Sequence, residues 1–429
     1  MIYLLTLTAF LLIPVLAQAS FTPEVKAKLQ QALNTVRQTQ SIRGVSVAMQ
    51  SADEMLMLTA GESHDGVAMS SDMLLGIGSN TKTLTSLVLL RLQMKGVLNV
   101  SQSIGAWIQP SSRIDTSITI RQLLNHTSGL GDYASTAEYR QAVLENANRV
   151  WKPDELLQFI PAPAAVKGTV WNYCNTNYLL AGLIATRATG KTLAQLYRDE
   201  LFAPLNLANS FLPPEEALRG TVAHRWLGTN DLVNTPITSA WSGAWAAGAV
   251  FSTAADMAQL YTSLFSGRIL DSVTLSTMLT PAFQSGYGLG IKRNIVNGTE
   301  TIGHTGEIRG YTSTLVRVPR HRVSIAILTN NQPGSYNEVL QELLAVLNDA
   351  TTSATDDAED YTLRVFPNPV TSTIRIAGAT GDIQIVSLTG APVWSGAAEQ
   401  AEAIDCSAWA SGVYVVRSRA GTTTAIIMN

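Results

Sequence analysis

The chain has 429 residues, 46% of them hydrophobic and only 14% charged, with 29 Lys+Arg against 32 Asp+Glu. That length accommodates more than one domain and a large core, and the low charge content excludes a disordered chain. A net charge of −3 makes no electrostatic case for nucleic acid or an anionic membrane as partner.

The N-terminal run MIYLLTLTAFLLIPVLAQAS is apolar from Ile2 to Leu16 and ends on Ala17-Gln18-Ala19, a small-x-small triplet. It is short for a bilayer span and reads as a signal peptide over residues 1–19, although no Lys or Arg stands near Met1; an uncleaved anchor is the alternative. Residues 24–40 set Val25, Leu29, Leu33 and Val36 at helical spacing. GVSVAMQ (44–50) and EMLMLTAG (54–61) predict a strand pair around the turn residues Ser51 to Asp53. A helix from about Ser79 to Lys95 follows, apolar on nearly every side and therefore internal, and Gly96 stops it.

Ser79 and Lys82 stand three apart at the start of that helix, so they share a face. A serine there is ordinarily a cap. An ammonium at a buried helix start is different: desolvation lowers its pKa and lets it act as a base near neutrality, while the helix dipole favours negative charge developing at Ser79.

A long, mainly helical and loop-rich middle runs to about residue 265. Within it, WNYCNTNYLLAGLIATRATG (171–190) carries Tyr173 and Asn175 two apart, which a regular helix cannot place on one face. They are expected in the turn before a helix capped by Asn175 or Thr176 and ended by Gly190, where a phenol and an amide can be aimed into a cleft.

Strand signals return in YGLGIKR, YTSTLVRVP and VSIAILTN. His304-Thr305-Gly306 is expected at a strand end, with Gly306 and Gly310 allowing close backbone approach. NEVLQELLAVLN (337–348) predicts a last amphipathic helix. Strands from both ends with helices between imply one α+β unit whose sheet is closed by distant parts of the chain.

ATTSATDDAED (350–360) has linker composition, and the linker proper is set at 351–360. Residues 361–429 alternate apolar and polar residues between Gly, Pro and Asn turns, as in a small all-β sandwich. The two cysteines, Cys174 and Cys406, make no disulfide framework, and no Cys/His cluster has metal-ligand spacing.

The three motifs, in this order, resemble those of the serine penicillin-recognising hydrolases, nearest to the class C β-lactamase and D-alanyl-D-alanine carboxypeptidase group, which also holds esterases and D-amino-acid peptidases. LLNHTSGL (123–130), LFAPLNL (201–207) and AAGAVFSTAADMAQL (246–260) support the resemblance, which covers about residues 24–350 and sets the domain at 20–350. It implies an antiparallel β-sheet flanked by helices plus a helical subdomain. It also implies Ser79 as nucleophile, Lys82 assisting its deprotonation, and Tyr173 as general base. Asn175 would bind the acyl amide, while His304, Thr305 and Gly306 line the strand wall and hold the far end of the substrate. The backbone N–H groups of Ser79 and Glu307 would form the oxyanion hole, at about 3 kcal/mol per donor. No metal or organic cofactor is implied, and the hydrolase is expected to be monomeric. Two departures stand out. Cys174 occupies a position where the family commonly has Ser or Ala, and its thiol is expected to be quiet. His304 replaces the Lys of many β-lactamases, which removes a fixed cation for an antibiotic carboxylate.

Residues 361–429 resemble the C-terminal sorting domain of the type IX secretion system, through VFPNPVTSTIRI, IVSLTGAPVW and IDCSAWASGVYVV. A carbohydrate-binding or adhesive sandwich is the alternative. With a signal peptide, this tail implies export across the outer membrane by the type IX machinery. The sequence therefore reads as a secreted or cell-surface serine hydrolase acting on a small peptide, amide or ester. A β-lactamase is the narrower alternative, and a non-catalytic penicillin- or peptide-binding scaffold is the alternative of another class.

Overall fold

The computed structural model describes residues 21–355, 364–366, 370–377, 381–387, 391–397, 403–418 and 421–427. Residues 1–20, and with them the expected signal peptide, lie outside the described residues. By packing, the chain divides between residues 348 and 349.

Helix α1 (Pro23–Thr39) begins where Thr22 accepts a hydrogen bond from the Val25 N–H and proline occupies the first turn, and it buries Leu29, Leu33 and Val36. Strands β1 (Gly44–Gln50) and β2 (Met55–His64) form the expected hairpin, extended by the short β3 (Val67–Ala68). After the middle of the chain come β4 (Lys292–Val296), β5 (Thr299–Ile308), β6 (Tyr311–Val318) and β7 (Val323–Thr329). All seven join one antiparallel sheet in the order β3-β2-β1-β7-β6-β5-β4. The closure by distant segments is the β1–β7 pairing, Val45 opposite Thr329 and Val47 opposite Ile327.

Each face of the sheet is buried against helices, which is why β1 and β7 are apolar almost throughout rather than alternating. One face (Val45, Val47, Met49, Ile325, Ile327) packs on α1 and on a C-terminal helix, Tyr336–Thr355, whose Val339, Leu343 and Leu347 point inward. That helix runs into the segment of linker composition. The other face, with Ala48, Leu315, Ala326 and Leu328, meets the larger core. There lie α2 (Thr81–Met94), α3 (Asn175–Thr189) and α4 (Ala254–Phe265), and the C-terminal helix becomes α5. Helix α2 is buried on every side from Thr81 to Leu90. Two of its threonines donate to carbonyls of the surrounding segments, Thr83 to Gly290 O at 2.7 Å and Thr85 to Ala246 O at 2.7 Å. These bonds tie the helix start to the loops that surround the site.

Two local readings need correction. YGLGIKR is not a strand along its length; β4 starts at Lys292, because Gly286 and Gly290 adopt φ of 71° and 74° and turn the chain before it. His304 lies within β5, which continues to Ile308, not at its end.

The described residues of the C-terminal region form antiparallel strands β8 (Arg364–Phe366), β9 (Thr373–Ala377), β10 (Asp382–Ser387), β11 (Pro392–Ala397), β12 (Ile404–Asp405), β13 (Gly412–Ser418) and β14 (Gly421–Ile427). They make two sheets, β8-β9-β12 and β11-β10-β13-β14, around Val370, Ile374, Ile385, Cys406 and Val416. Cys406 is a small core residue, and neither it nor Cys174 is in a disulfide.

Candidate active site

Ser79 sits in a single tight turn, Gly78–Asn80, immediately before α2. The turn is pinned to the sheet: Asn80 Nδ2 donates to Ser313 Oγ on β6 at 2.7 Å, and Ser313 Oγ donates to the Ile77 carbonyl at 2.8 Å. One turn on, Lys82 is fully buried. Its Nζ lies 2.9 Å from Ser79 Oγ, 2.9 Å from Asn175 Oδ1 and 2.8 Å from the Ala247 carbonyl. Burial brings its pKa down to about 7, opposed by the Asp132 carboxylate.

Asn175 is the first residue of α3, and Cys174 holds the capping position with no side-chain capping bond. The expected cap by Asn175 or Thr176 is thus not made. Asp132 does that work from a different loop: its Oδ1 accepts the Asn175 N–H at 3.1 Å and its Oδ2 accepts Asn175 Nδ2 at 3.0 Å. With the amide nitrogen held there, Oδ1 of Asn175 faces Lys82. Thr176 instead donates to the Gly131 carbonyl at 2.7 Å. The Cys174 thiol is buried and pushed up to about 11, chiefly by that burial, so it holds little thiolate at neutral pH.

The Tyr173 ring lies under Lys82, with Nζ 4.9 Å from its centroid. Burial pushes the phenol pKa well up, and a hydrogen bond with Ser79 opposes the shift. Tyr173 is therefore a neutral phenol beside the serine hydroxyl.

His304 is buried and both ring nitrogens are engaged within the protein, Nε2 with Tyr287 Oη at 2.8 Å and Nδ1 with the Thr305 carbonyl at 2.6 Å. Burial, with Lys82 and Lys292 nearby, brings its pKa down to about 3. The ring walls the cleft as a neutral group with no spare donor. Thr305 is exposed beside it, and Tyr336 at the start of α5 bonds to its side chain.

Gly306 and Gly78 are required by space. A Cβ on Gly306 would lie 2.0 Å from the Ile77 carbonyl oxygen, and one on Gly78 would lie 2.5 Å from Glu307 N. Strand β5 and the Ser79 turn therefore touch backbone to backbone, which brings the Ser79 and Glu307 peptides together. Ser79, Tyr173, His304, Thr305, Gly306, Glu307 and Tyr336 line a cleft of about 240 Å³. A second cavity of about 210 Å³ shares Tyr173, His304 and Thr305 with it and extends to Trp171 and Lys292.

Of the candidate site residues, Ser79, Tyr173, His304, Thr305, Gly306 and Glu307 line this cleft, and Lys82 and Asn175 stand beside Ser79 behind it. Those that sequence reasoning passed over are Asp132, His126, Tyr287 and the Ala247 carbonyl. His126 lies in the LLNHTSGL stretch, but nothing in its spacing marks it; the Ala247 contact is backbone and carries no residue-type signal.

An uncharged Lys82 amine has two N–H bonds and one lone pair. Asn175 Oδ1 and Ala247 O only accept, so the lone pair is left to the Ser79 hydroxyl. This arrangement is chemically suited to removing the serine proton.

Residues 29–348 match the Beta-lactamase family, and residues 364–428 match a secretion system C-terminal sorting domain. Among curated proteins, penicillin-binding protein 4 of Amycolatopsis lactamdurans is 28% identical over 357 residues, covering 75% of this chain and 90% of the relative. A D-aminopeptidase of Cereibacter sphaeroides is 25% identical over 241 residues, which is 53% of this chain but only 45% of that enzyme. Among solved structures, the D-amino acid amidase of Ochrobactrum anthropi SV3, complexed with L-phenylalanine, aligns with a TM-score of 0.68 at 25% identity, covering 76% of this chain and 99% of the amidase.

Proposed function

Since the chain belongs to the Beta-lactamase family through residues 29–348, we propose that it is a secreted serine hydrolase that opens an amide or peptide bond on the carbonyl side of a D-amino acid. The observation that carries this reading is the buried Lys82 amine 2.9 Å from Ser79 Oγ, with its other two contacts fixed acceptors. The D-configuration comes from the relatives named as D-amino acid amidase and D-aminopeptidase. The C-terminal sorting domain indicates secretion or cell-surface export.

In this reading Ser79 Oγ attacks the substrate carbonyl as its proton passes to Lys82. The N–H groups of Ser79 and Glu307 stabilise the oxyanion, and Asn175 binds the acyl amide. The high pKa of Tyr173 supports a division of the base role: Lys82 removes the serine proton, and the Tyr173 phenol hands its own to the departing amine. Water then attacks the acyl-enzyme with the proton transfers reversed. His304, neutral and internally bonded, offers no cation to a substrate carboxylate, which favours neutral amides over β-lactams. A second, carboxypeptidase-like reading is favoured by Lys292 in the adjoining cavity, where a terminal carboxylate would meet its side chain.

The test is a fluorophosphonate probe on wild type and Ser79→Ala, followed by turnover of D- and L-amino acid amides, a D-Ala-D-Ala peptide, a nitrophenyl ester and a chromogenic cephalosporin. Labelling of wild type alone, with the D-amide preferred, is expected. Equal labelling of both proteins would remove Ser79 as nucleophile, and preference for the D-Ala-D-Ala peptide would select the second reading.

A further inference from the structure

His126 has no role in the chemistry above, yet it is fully buried at the centre of the site's supporting loops. Its Nδ1 accepts from the Cys174 N–H at 3.2 Å and from Asn177 Nδ2 at 3.0 Å, and its carbonyl accepts from the Asn172 N–H at 2.9 Å. The Asn177 amide is oriented for this, because its Oδ1 takes the Ser128 hydroxyl at 2.5 Å.

The directions of the bonds that follow are set from the His126 end. With Nδ1 committed as acceptor, the neutral His126 ring carries its proton on Nε2. That nitrogen lies 3.3 Å from Tyr287 Oη. At the far end, the Thr305 carbonyl only accepts, so a proton on His304 Nδ1 is what satisfies that contact, and His304 Nε2 then accepts from Tyr287, whose hydroxyl has Tyr178 as its other side-chain partner. The chain therefore runs one way: His126 Nε2–H to Tyr287 Oη, Tyr287 O–H to His304 Nε2, and His304 Nδ1–H to Thr305 O.

We propose that His126 is a positioning residue that acts through Tyr287 to fix His304 as its Nδ1–H tautomer, and so sets the ring that walls the Ser79 cleft. One residue thereby holds both sides of the site, the Tyr173–Asn175 loop through Nδ1 and the β5 wall through Nε2. Lys82 faces both imidazoles and Lys292 faces His304, so an additional proton on either ring is opposed and the direction is kept. Only the kinetic consequence rests on the hydrolase reading; the tautomers do not.

Two substitutions separate this role from a structural one. His126 has φ of 60°, a conformation asparagine tolerates better than glutamine. His126→Asn also places an amide oxygen where Nδ1 was, keeping an acceptor for the Cys174 N–H, but it has no donor that reaches Tyr287. His126→Gln reaches toward Tyr287 with its amide nitrogen and gives up the loop acceptor. A purely structural residue is better replaced by Asn; a residue acting through Tyr287 is better replaced by Gln.

The readout is long-range ¹H–¹⁵N NMR of ¹⁵N-histidine-labelled full-length protein, where five histidines keep the spectrum sparse. In wild type we expect Nε2–H for His126 and Nδ1–H for His304. The His304 pattern should survive His126→Gln and give way to mixed tautomers in His126→Asn and in Tyr287→Phe. In turnover, His126→Asn should lower kcat/KM roughly tenfold through displacement of the wall, with partial recovery in His126→Gln. Adding His126→Asn to Tyr287→Phe should add little, since the link is already cut. Nε2–H on wild-type His304, the same His304 tautomer in both His126 variants, or additive losses in the double variant would each overturn the proposal. If wild type turns over no substrate, the hydrolase reading falls, and the spectra still decide the relay.

Discussion

Lys82 Nζ and Ser79 Oγ stand 2.9 Å apart, and the other two hydrogen-bond partners of the amine among the described residues are Asn175 Oδ1 and the Ala247 carbonyl. The sense of the Lys82–Ser79 bond therefore depends on charge. The ammonium donates to all three acceptors, whereas the neutral amine keeps two donations and accepts the serine proton.

Lys82→Arg is accordingly not a conservative change. A guanidinium stays protonated at any working pH and cannot become an acceptor. Acylation by Lys82→Arg should fall by about 10³-fold or more, close to the loss in Lys82→Ala. Burst kinetics with an activated ester measure it directly, and an arginine variant retaining a tenth of wild-type acylation would take the base role away from Lys82.

The pH profile of kcat/KM follows from the same amine. Its folded pKa of about 7 means the reactive neutral form is lost as pH falls, so activity should decline on the acid side of about pH 7. Asp132 stabilises the ammonium and raises that pKa. Asp132→Asn should therefore move the acid limb to lower pH, while loosening Asn175 and raising KM. A limb that stays in place, or moves up, would show that another group titrates there.

Stability gives an independent measure of the same shift. Lys82 binds its proton with a pKa of 10.5 when unfolded and about 7 when folded, so between these values the unfolded chain holds the extra proton. Stability then rises with pH across that window, by up to about 1.4 kcal/mol per pH unit from this group, and the contribution is flat below about pH 7. Lys82→Met removes the slope. Urea unfolding of both proteins at pH 7, 8 and 9 should show wild type gaining on the variant at each step; parallel lines would mean that Lys82 is charged in the folded protein.

Tyr173→Phe keeps the ring beneath the amine and removes only the hydroxyl. If the phenol passes a proton to the leaving group, kcat should fall by roughly 10²–10⁴-fold on an amide with KM little changed. The loss should be smaller on a nitrophenyl ester, whose leaving group needs no proton. Equal losses on both substrates would assign Tyr173 a positioning role.

The parts of this architecture that rest on periodicity were legible in the sequence: α1 from Leu29, Leu33 and Val36, and β1 with β2 from apolar runs bounded by turns. That Ser79, Lys82, Tyr173 and Asn175 would share one site was an implication of the family resemblance that the three motifs and their order carry, not of periodicity. What escaped depends on contacts made across long separations. Asp132 caps α3 from 43 residues away, so the local capping rule pointed to the wrong residue. Tyr287 bonds His126 across 161 residues of chain, and its stretch, rich in glycine and apolar residues, mimics a strand. The charge state of His304 is set by burial, which no local pattern reports.

Strand β5 meets the Ser79 turn at Gly306. Gly306 is needed there because its absent side chain lets the Ile77 carbonyl approach; a Cβ would sit 2.0 Å from that oxygen and 2.7 Å from Ser313 Oγ. Ile77 O is already fixed by Ser313 Oγ–H at 2.8 Å, so the backbone, not a side chain, must give way in Gly306→Ala. The displacement parts the N–H groups of Ser79 and Glu307 that the proposed mechanism aims at one oxyanion. Overpacking of this kind costs about 1–3 kcal/mol in stability, and loss of one donor's alignment costs about 10²–10³ in kcat. Gly306→Ala should therefore remain folded by circular dichroism, unfold at lower urea, and lose acylation far beyond what its stability loss explains. A folded variant with wild-type acylation would place the oxyanion donors elsewhere.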